Sequence, residues 1–162
     1  MRYAESGARE PQLVARVEEL LAVQGRPAPD QARRAQLRQA MPGLKERAKT
    51  LLDIIEMAQY ILSERPFAPD EKAAKHLDGD ARAMLARLTP RLRDASEWVA
   101  GPIEQIVRSF AEEEQLKLGK VAQPLRAALT GRSVSPGVFD VMETLGREET
   151  LARLDDAATG RT

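Results

Sequence analysis

The chain has 162 residues, of which 43% are hydrophobic and 31% charged, with 25 Lys+Arg against 25 Asp+Glu. That length holds one ordinary domain or two small helical ones and excludes a multidomain kinase or polymerase. With no cysteine and one histidine, His76, a disulfide framework, a thiolate zinc site, a cysteine nucleophile and any site needing two imidazoles are excluded as well.

Nearly every segment reads as helix. Aromatic residues make up only 4%, and no stretch of five alternates convincingly between apolar and polar, so the expected fold class is all-α, with two packed helical subdomains over 1–93 and 94–162. Leu13, Val17, Leu20 and Leu21 recur at helical spacing after Pro11, and Gly25 ends that run. Asp30 is a plausible N-cap for a second helix reaching Met41, after which Pro42-Gly43 is expected to break the chain. From Leu44 to Glu64 the pattern predicts one long core-facing helix, with Ala48, Leu51, Ile55 and Ala58 on its apolar stripe.

The turn Arg65 to Asp70 carries two prolines and leads into short amphipathic stretches over 71–77 and 80–93, the latter expected to be capped by Asp80. A helix is expected from near Ser96 to the acidic run Glu112-Glu113-Glu114, and Lys117 to Lys120 reads as a basic loop. Next comes a short helix over 121–130, with Pro124 in its first turn and Gly131 as its stop. Ser135-Pro136 has the preferred order of an N-cap and a proline at the first helical position. Val138, Val141, Met142 and Leu145 form that helix's stripe, Gly146 closes it, and 148–158 is the terminal helix.

The balanced total hides segregated charge. Residues 26–49 carry seven basic and two acidic side chains, a net of +5, and residues 116–132 carry four basic and no acidic ones, a net of +4. The expectation is that these two segments converge on one concave basic surface that attracts phosphates. The plainer reading is a set of solvated helix faces. No apolar run reaches the ~18 residues that cross a bilayer, and the first residues lack the apolar core of a signal peptide. The expectation is thus a cytoplasmic chain with no membrane partner.

No catalytic constellation stands out. His76 beside Asp78 and Asp80 is a weak metal set, and successive residues of the Glu112–Glu114 run point in different directions on a helix, so that run reads as a solvated helix end. Ser135 has no nearby base and a capping role accounts for it. Arg126 offers a planar five-donor fork suited to phosphates and base edges, or equally to a structural salt bridge. Trp98 and Phe139 suit either a base stack or the core.

Leu44 to Leu51 (Leu-Lys-Glu-Arg-Ala-Lys-Thr-Leu), followed by a helix ending in Tyr60-Ile61-Leu62, resembles the start of the anticodon-binding region of bacterial glutamyl-tRNA synthetases. Lys117 to Gly131 is similar to that family's second landmark, and Ser135-Pro136-Gly137-Val138-Phe139 with Leu145-Gly146-Arg147-Glu148 completes the order. Arg2-Tyr3 resembles the pair that opens the region. The resemblance implies an all-α anticodon-binding bundle, the C-terminal half of a class I synthetase. In such enzymes a separate nucleotide-binding domain activates glutamate with ATP.

Carried over by motif, Arg47 faces the first anticodon base. Arg126, Ser135, Pro136, Gly137, Val138 and Phe139 line the pocket for splayed bases, and Lys49, Lys117 and Lys120 face phosphates. The HIGH-like and KMSK-like motifs of the catalytic half do not occur in the sequence. The resemblance therefore implies that ATP and magnesium belong to a catalytic half absent from this chain, which has no cofactor or metal of its own and no catalytic activity alone. It further implies a monomer that binds glutamate-specific tRNA and not DNA. A stand-alone helical adaptor derived from a synthetase, no longer binding tRNA, is the rival expectation.

Overall fold

Short acidic or hydroxyl side chains at Asp30, Thr50, Asp70 and Asp78 satisfy otherwise unpaired backbone amides and set the starts of four helices. In a computed structural model, residues 10–132 and 135–160 are described, and among them are ten α-helices and no strand. The Arg2-Tyr3 pair lies outside the described residues. The chain forms two compact units, 1–63 and 64–162.

The first unit contains α1 (Glu10–Val23), α2 (Gln31–Arg47), α3 (Leu51–Met57) and α4 (Gln59–Leu62). Asp30 caps α2 by accepting a hydrogen bond from the Arg33 amide at 2.8 Å. α1 packs on α2 and α3, and α2 also meets α4. Leu13, Val17, Leu37, Met41 and Ile54 are wholly buried between them. Arg34 Nε donates to Glu18 at 2.5 Å, and Arg26 donates to Gln59 at 3.1 Å.

The helix break is displaced from its expected place. α2 runs straight through Pro42-Gly43, and the expected long helix over 44–64 is divided among α2, α3 and α4. Proline at position 42 forfeits one backbone hydrogen bond. Met41 and Leu44 on either side of it are both buried, so packing holds the helical line. The break comes instead at Ala48, which is extended (φ −87°, ψ 147°). There Thr50 and Asp53 form a reciprocal capping box that starts α3, with the Asp53 amide donating to Thr50 Oγ1 at 3.1 Å and the Thr50 amide to Asp53 at 3.2 Å.

The second unit contains α5 (Glu71–Ala74), α6 (Gly79–Arg93), α7 (Ala100–Glu113), α8 (Leu118–Thr130), α9 (Val138–Leu145) and α10 (Arg147–Thr159). α8 is the centre of this unit and touches α5, α6, α7, α9 and α10, while α10 lies along α6. Its buried face carries Val121, Leu125 and Leu129, against a core that includes Leu88, Ile103 and Val141. Because α6 packs on α8 and α10, the division expected after residue 93 falls inside this unit, and the observed one lies at Ser63.

Local starts shift too. Asp78, not Asp80, caps α6, accepting from the Ala81 amide at 2.8 Å. α7 begins at Ala100 rather than near Ser96. α8 begins at Leu118, so the expected basic loop is its first turn and Pro124 lies mid-helix. Glu113 and Glu114, read from sequence as a solvated end, pair with α6: Glu113 with Arg91, and Glu114 with Arg87 at 2.7 Å.

Candidate nucleic-acid interface

The C-terminal end of α8 is held by donors from three directions. Gly131 adopts a left-handed conformation (φ 69°) that closes the helix. Its carbonyl accepts from the Asp70 amide at 2.7 Å. Arg153, only 4% exposed, reaches from α10 to donate to the Leu129 carbonyl at 2.6 Å. The same guanidinium lies 5.0 Å from the centre of the Phe67 ring. A cation beside the last carbonyls of a helix is favourable for the dipole as well as for hydrogen bonding. Thr130 Oγ1 donates to the Arg126 carbonyl at 2.7 Å and accepts from the Arg132 amide at 3.0 Å.

This end carries Arg126 and feeds the segment that starts α9. Arg126 is half-buried, and its Nε donates to Ser135 Oγ at 3.0 Å. The Ser135 hydroxyl in turn donates to the Pro136 carbonyl at 2.8 Å. Ser135 is therefore not the helix cap that its sequence position suggested: Gly137 occupies the N-cap position of α9, without a side-chain cap. Of the expected pocket residues, Pro136 and Val138 are buried, whereas Ser135, Gly137 and Phe139 are partly open. The amides at the start of α9 are suited to an anion or a base edge.

Lys117 and Lys120 are exposed at the opposite end of α8, which has neither a side-chain cap nor an acidic residue in its first turn. Lys120 and Arg126 are separated by ~9 Å of helical rise and leave the helix about 120° apart. They meet one ligand only if it curves around α8. Arg47 and Lys49 belong to the first unit, both exposed, at the end of α2 and in the link to α3.

Other expectations resolve into structure. Trp98 Nε1 donates to the Met142 carbonyl at 2.7 Å and its ring lies 5.5 Å from the Arg147 guanidinium carbon, so it ties the 94–99 segment to α9 and α10. Arg65 donates to Glu149 at 2.8 Å and lies 3.5 Å from Asp156. The Glu149 hydrogen bond is the main cause raising its pKa above the usual arginine value, opposed by partial burial. Sequence reasoning missed Arg153, because α10 reads as an acidic surface helix and nothing local marks one of its cations as buried. Among the described residues, no group of three or more His, Asp or Glu is placed to hold a metal ion. No helix among them is long and apolar enough to cross a membrane.

A family model described as an anticodon binding domain matches residues 12–158. The chain belongs to the anticodon-binding domain family. Within that family it is 59% identical over 129 residues to glutamate–tRNA ligase 2 of Chelativorans sp. (strain BNC1), a match covering 80% of this chain and 27% of that protein. It is 56% identical over 126 residues to glutamate–tRNA ligase 1 of Beijerinckia indica, covering 78% and 27% respectively. The chain thus spans about a quarter of the length of these relatives. A solved glutamate tRNA ligase from Elizabethkingia meningosepticum, in complex with its amino acid, superimposes with a TM-score of 0.75 at 26% identity, over 95% of this chain and 30% of that one. The all-α class expected from sequence agrees with this likeness.

Proposed function

We propose that this anticodon-binding domain holds the anticodon loop of glutamate tRNA as part of an ATP-dependent glutamate–tRNA ligase acting in the cytoplasm. The observation that carries the reading is the family match along 12–158, and the ligase relatives support its assignment to glutamate. The chemistry at the end of α8 fits the task. Single-stranded loops are recognised by splaying bases onto aromatic or guanidinium planes and bonding their exposed edges. Arg126, Gly137 and Phe139 offer a fork, a helix start and a ring within one short stretch. Lys117 and Lys120, with Lys49 from the first unit, supply charge for phosphates without reading sequence, and Arg47 of the first unit reads a base. Glutamate activation with ATP and magnesium is assigned to the remainder of such a ligase, and no step of it is assigned to these residues.

The test is binding of an RNA hairpin carrying the glutamate anticodon, against the same hairpin with one anticodon base replaced, at fixed salt. Tighter binding of the first is expected. Equal affinity for both reduces the chain to a general RNA binder, and no binding to either favours the adaptor role.

A further inference from the structure

The Ser135 side chain already uses its single proton and one of its lone pairs inside the protein. Its Oγ donates to the Pro136 carbonyl at 2.8 Å and accepts from Arg126 Nε at 3.0 Å. A hydroxyl has one proton to donate, so Ser135 cannot donate to an RNA acceptor without giving up the Pro136 carbonyl. The Arg126 guanidinium is planar, so a hydrogen bond at Nε restrains the direction in which its Nη edge lies. The Arg126 backbone carbonyl accepts from Thr130 Oγ1 at 2.7 Å and the same hydroxyl accepts from the Arg132 amide at 3.0 Å, which ties the last turn of α8 to the residue after Gly131. Thr130 is itself buried, 4% exposed. The Arg126 side chain itself is restrained through its Nε bond to Ser135, in the segment that follows α8.

We infer that Ser135 is a positioning residue that acts through Arg126: it aims the guanidinium before RNA arrives and does not itself contact a base. This rests on the functional reading above and makes it more specific. Arginine side chains carry large rotamer entropy, and an arginine held in its bound orientation loses less of it on binding. The hydrogen bond from Nε to Oγ thus contributes to discrimination between loops rather than to general attraction for phosphate. It also accounts for an otherwise uncapped start of α9, where Ser135 stands two residues before the Gly137 N-cap and turns its hydroxyl away from the helix amides.

Two measurements on the full chain test this. In the free protein, exchange of the Arg126 Nε–H proton followed by nitrogen-15 NMR is expected to speed up in Ser135→Ala and to stay slow in Ser135→Thr, which keeps the hydroxyl. In hairpin binding, Ser135→Ala is expected to reduce the preference for the glutamate anticodon by about fivefold or more, the effect of losing one good polar contact, and Ser135→Thr to retain it. In an Arg126→Met background, Ser135→Ala is expected to leave the remaining preference unchanged. An equal loss in that background would place Ser135 directly against the RNA and overturn the inference. An unchanged Nε–H exchange rate in Ser135→Ala would overturn the positioning role alone, whereas a wild-type chain binding neither hairpin would overturn the functional reading.

Discussion

Gly131 answers two demands that no other residue meets together. Its φ of +69° is a conformation L-residues avoid, and a Cβ there would stand 3.0 Å from the edge of the Phe67 ring. Gly131→Ala is expected to destabilise the second unit by about 1–3 kcal/mol through backbone strain and displacement of that ring. An unchanged urea midpoint would contradict this. Arg153→Met removes the donor to the Leu129 carbonyl, leaving that buried acceptor short of a partner, at a cost of about 1–3 kcal/mol in the same measurement. Loss of RNA affinity without loss of stability would mean that Arg153 acts at the surface. These two residues differ in legibility. A glycine after a run of helical residues signals a helix stop, so Gly131 could be read from sequence. The burial of Arg153 depends on the approach of α10 and of Phe67, which are distant along the chain, and nothing in the sequence around 153 marks it.

At the scale of elements, caps were more legible than breaks. Asp30 and Asp70 each accept an amide hydrogen bond at a helix start, as a short polar residue before an apolar stretch signals locally, whereas the Thr50 cap falls inside the long helix expected over 44–64 and was not read. Choosing between Asp78 and Asp80 was not local, since both flank the same glycine. Asp78→Ala is expected to cost about 1 kcal/mol by freeing the Ala81 amide, while Asp80→Ala costs well under half of that, because its carboxylate has only the helix dipole to favour it. Equal effects in thermal melts would show that the cap is shared. Breaks were misread where packing overrides propensity. Pro42 and Pro124 sit inside helices because Met41 and Leu44 in one case, and Val121 and Leu125 in the other, bury apolar surface worth ~1.5–3 kcal/mol per side chain, comparable to the ~3 kcal/mol a proline costs within a helix. α7 adds a further non-local device. It lacks a cap of its own, and its first amide, Ala100, donates to Glu143 of α9 at 2.9 Å.

For the whole molecule, the even charge total conceals basic segments in both units, which segment counts bring out. Arg47 and Lys49 fall in 1–63, and Lys117, Lys120 and Arg126 in 64–162. The boundary between the units was harder to place, because the sequence marks turns at 63–70 and at 94–99 alike. Only the packing of α6 against α8 and α10 distinguishes a linker from a loop. Within the second unit, the cations separate by position on α8. Arg126 is held by the turn after the helix, whereas Lys117 and Lys120 stand exposed at its other end. That difference has a measurable form. A lysine that neutralises a phosphate releases a counterion, and each such contact with a single strand contributes ~0.7 to the slope of log affinity against log salt. Lys117→Ala combined with Lys120→Ala is expected to lower that slope by about 1.4 and to weaken binding of matched and altered hairpins alike. Arg126→Met is expected to move the preference between hairpins instead, by the ~1–3 kcal/mol of a bidentate base contact. A salt slope unchanged by loss of both lysines would remove them from the phosphate path, and a preference unchanged in Arg126→Met would leave α8 binding RNA by charge alone.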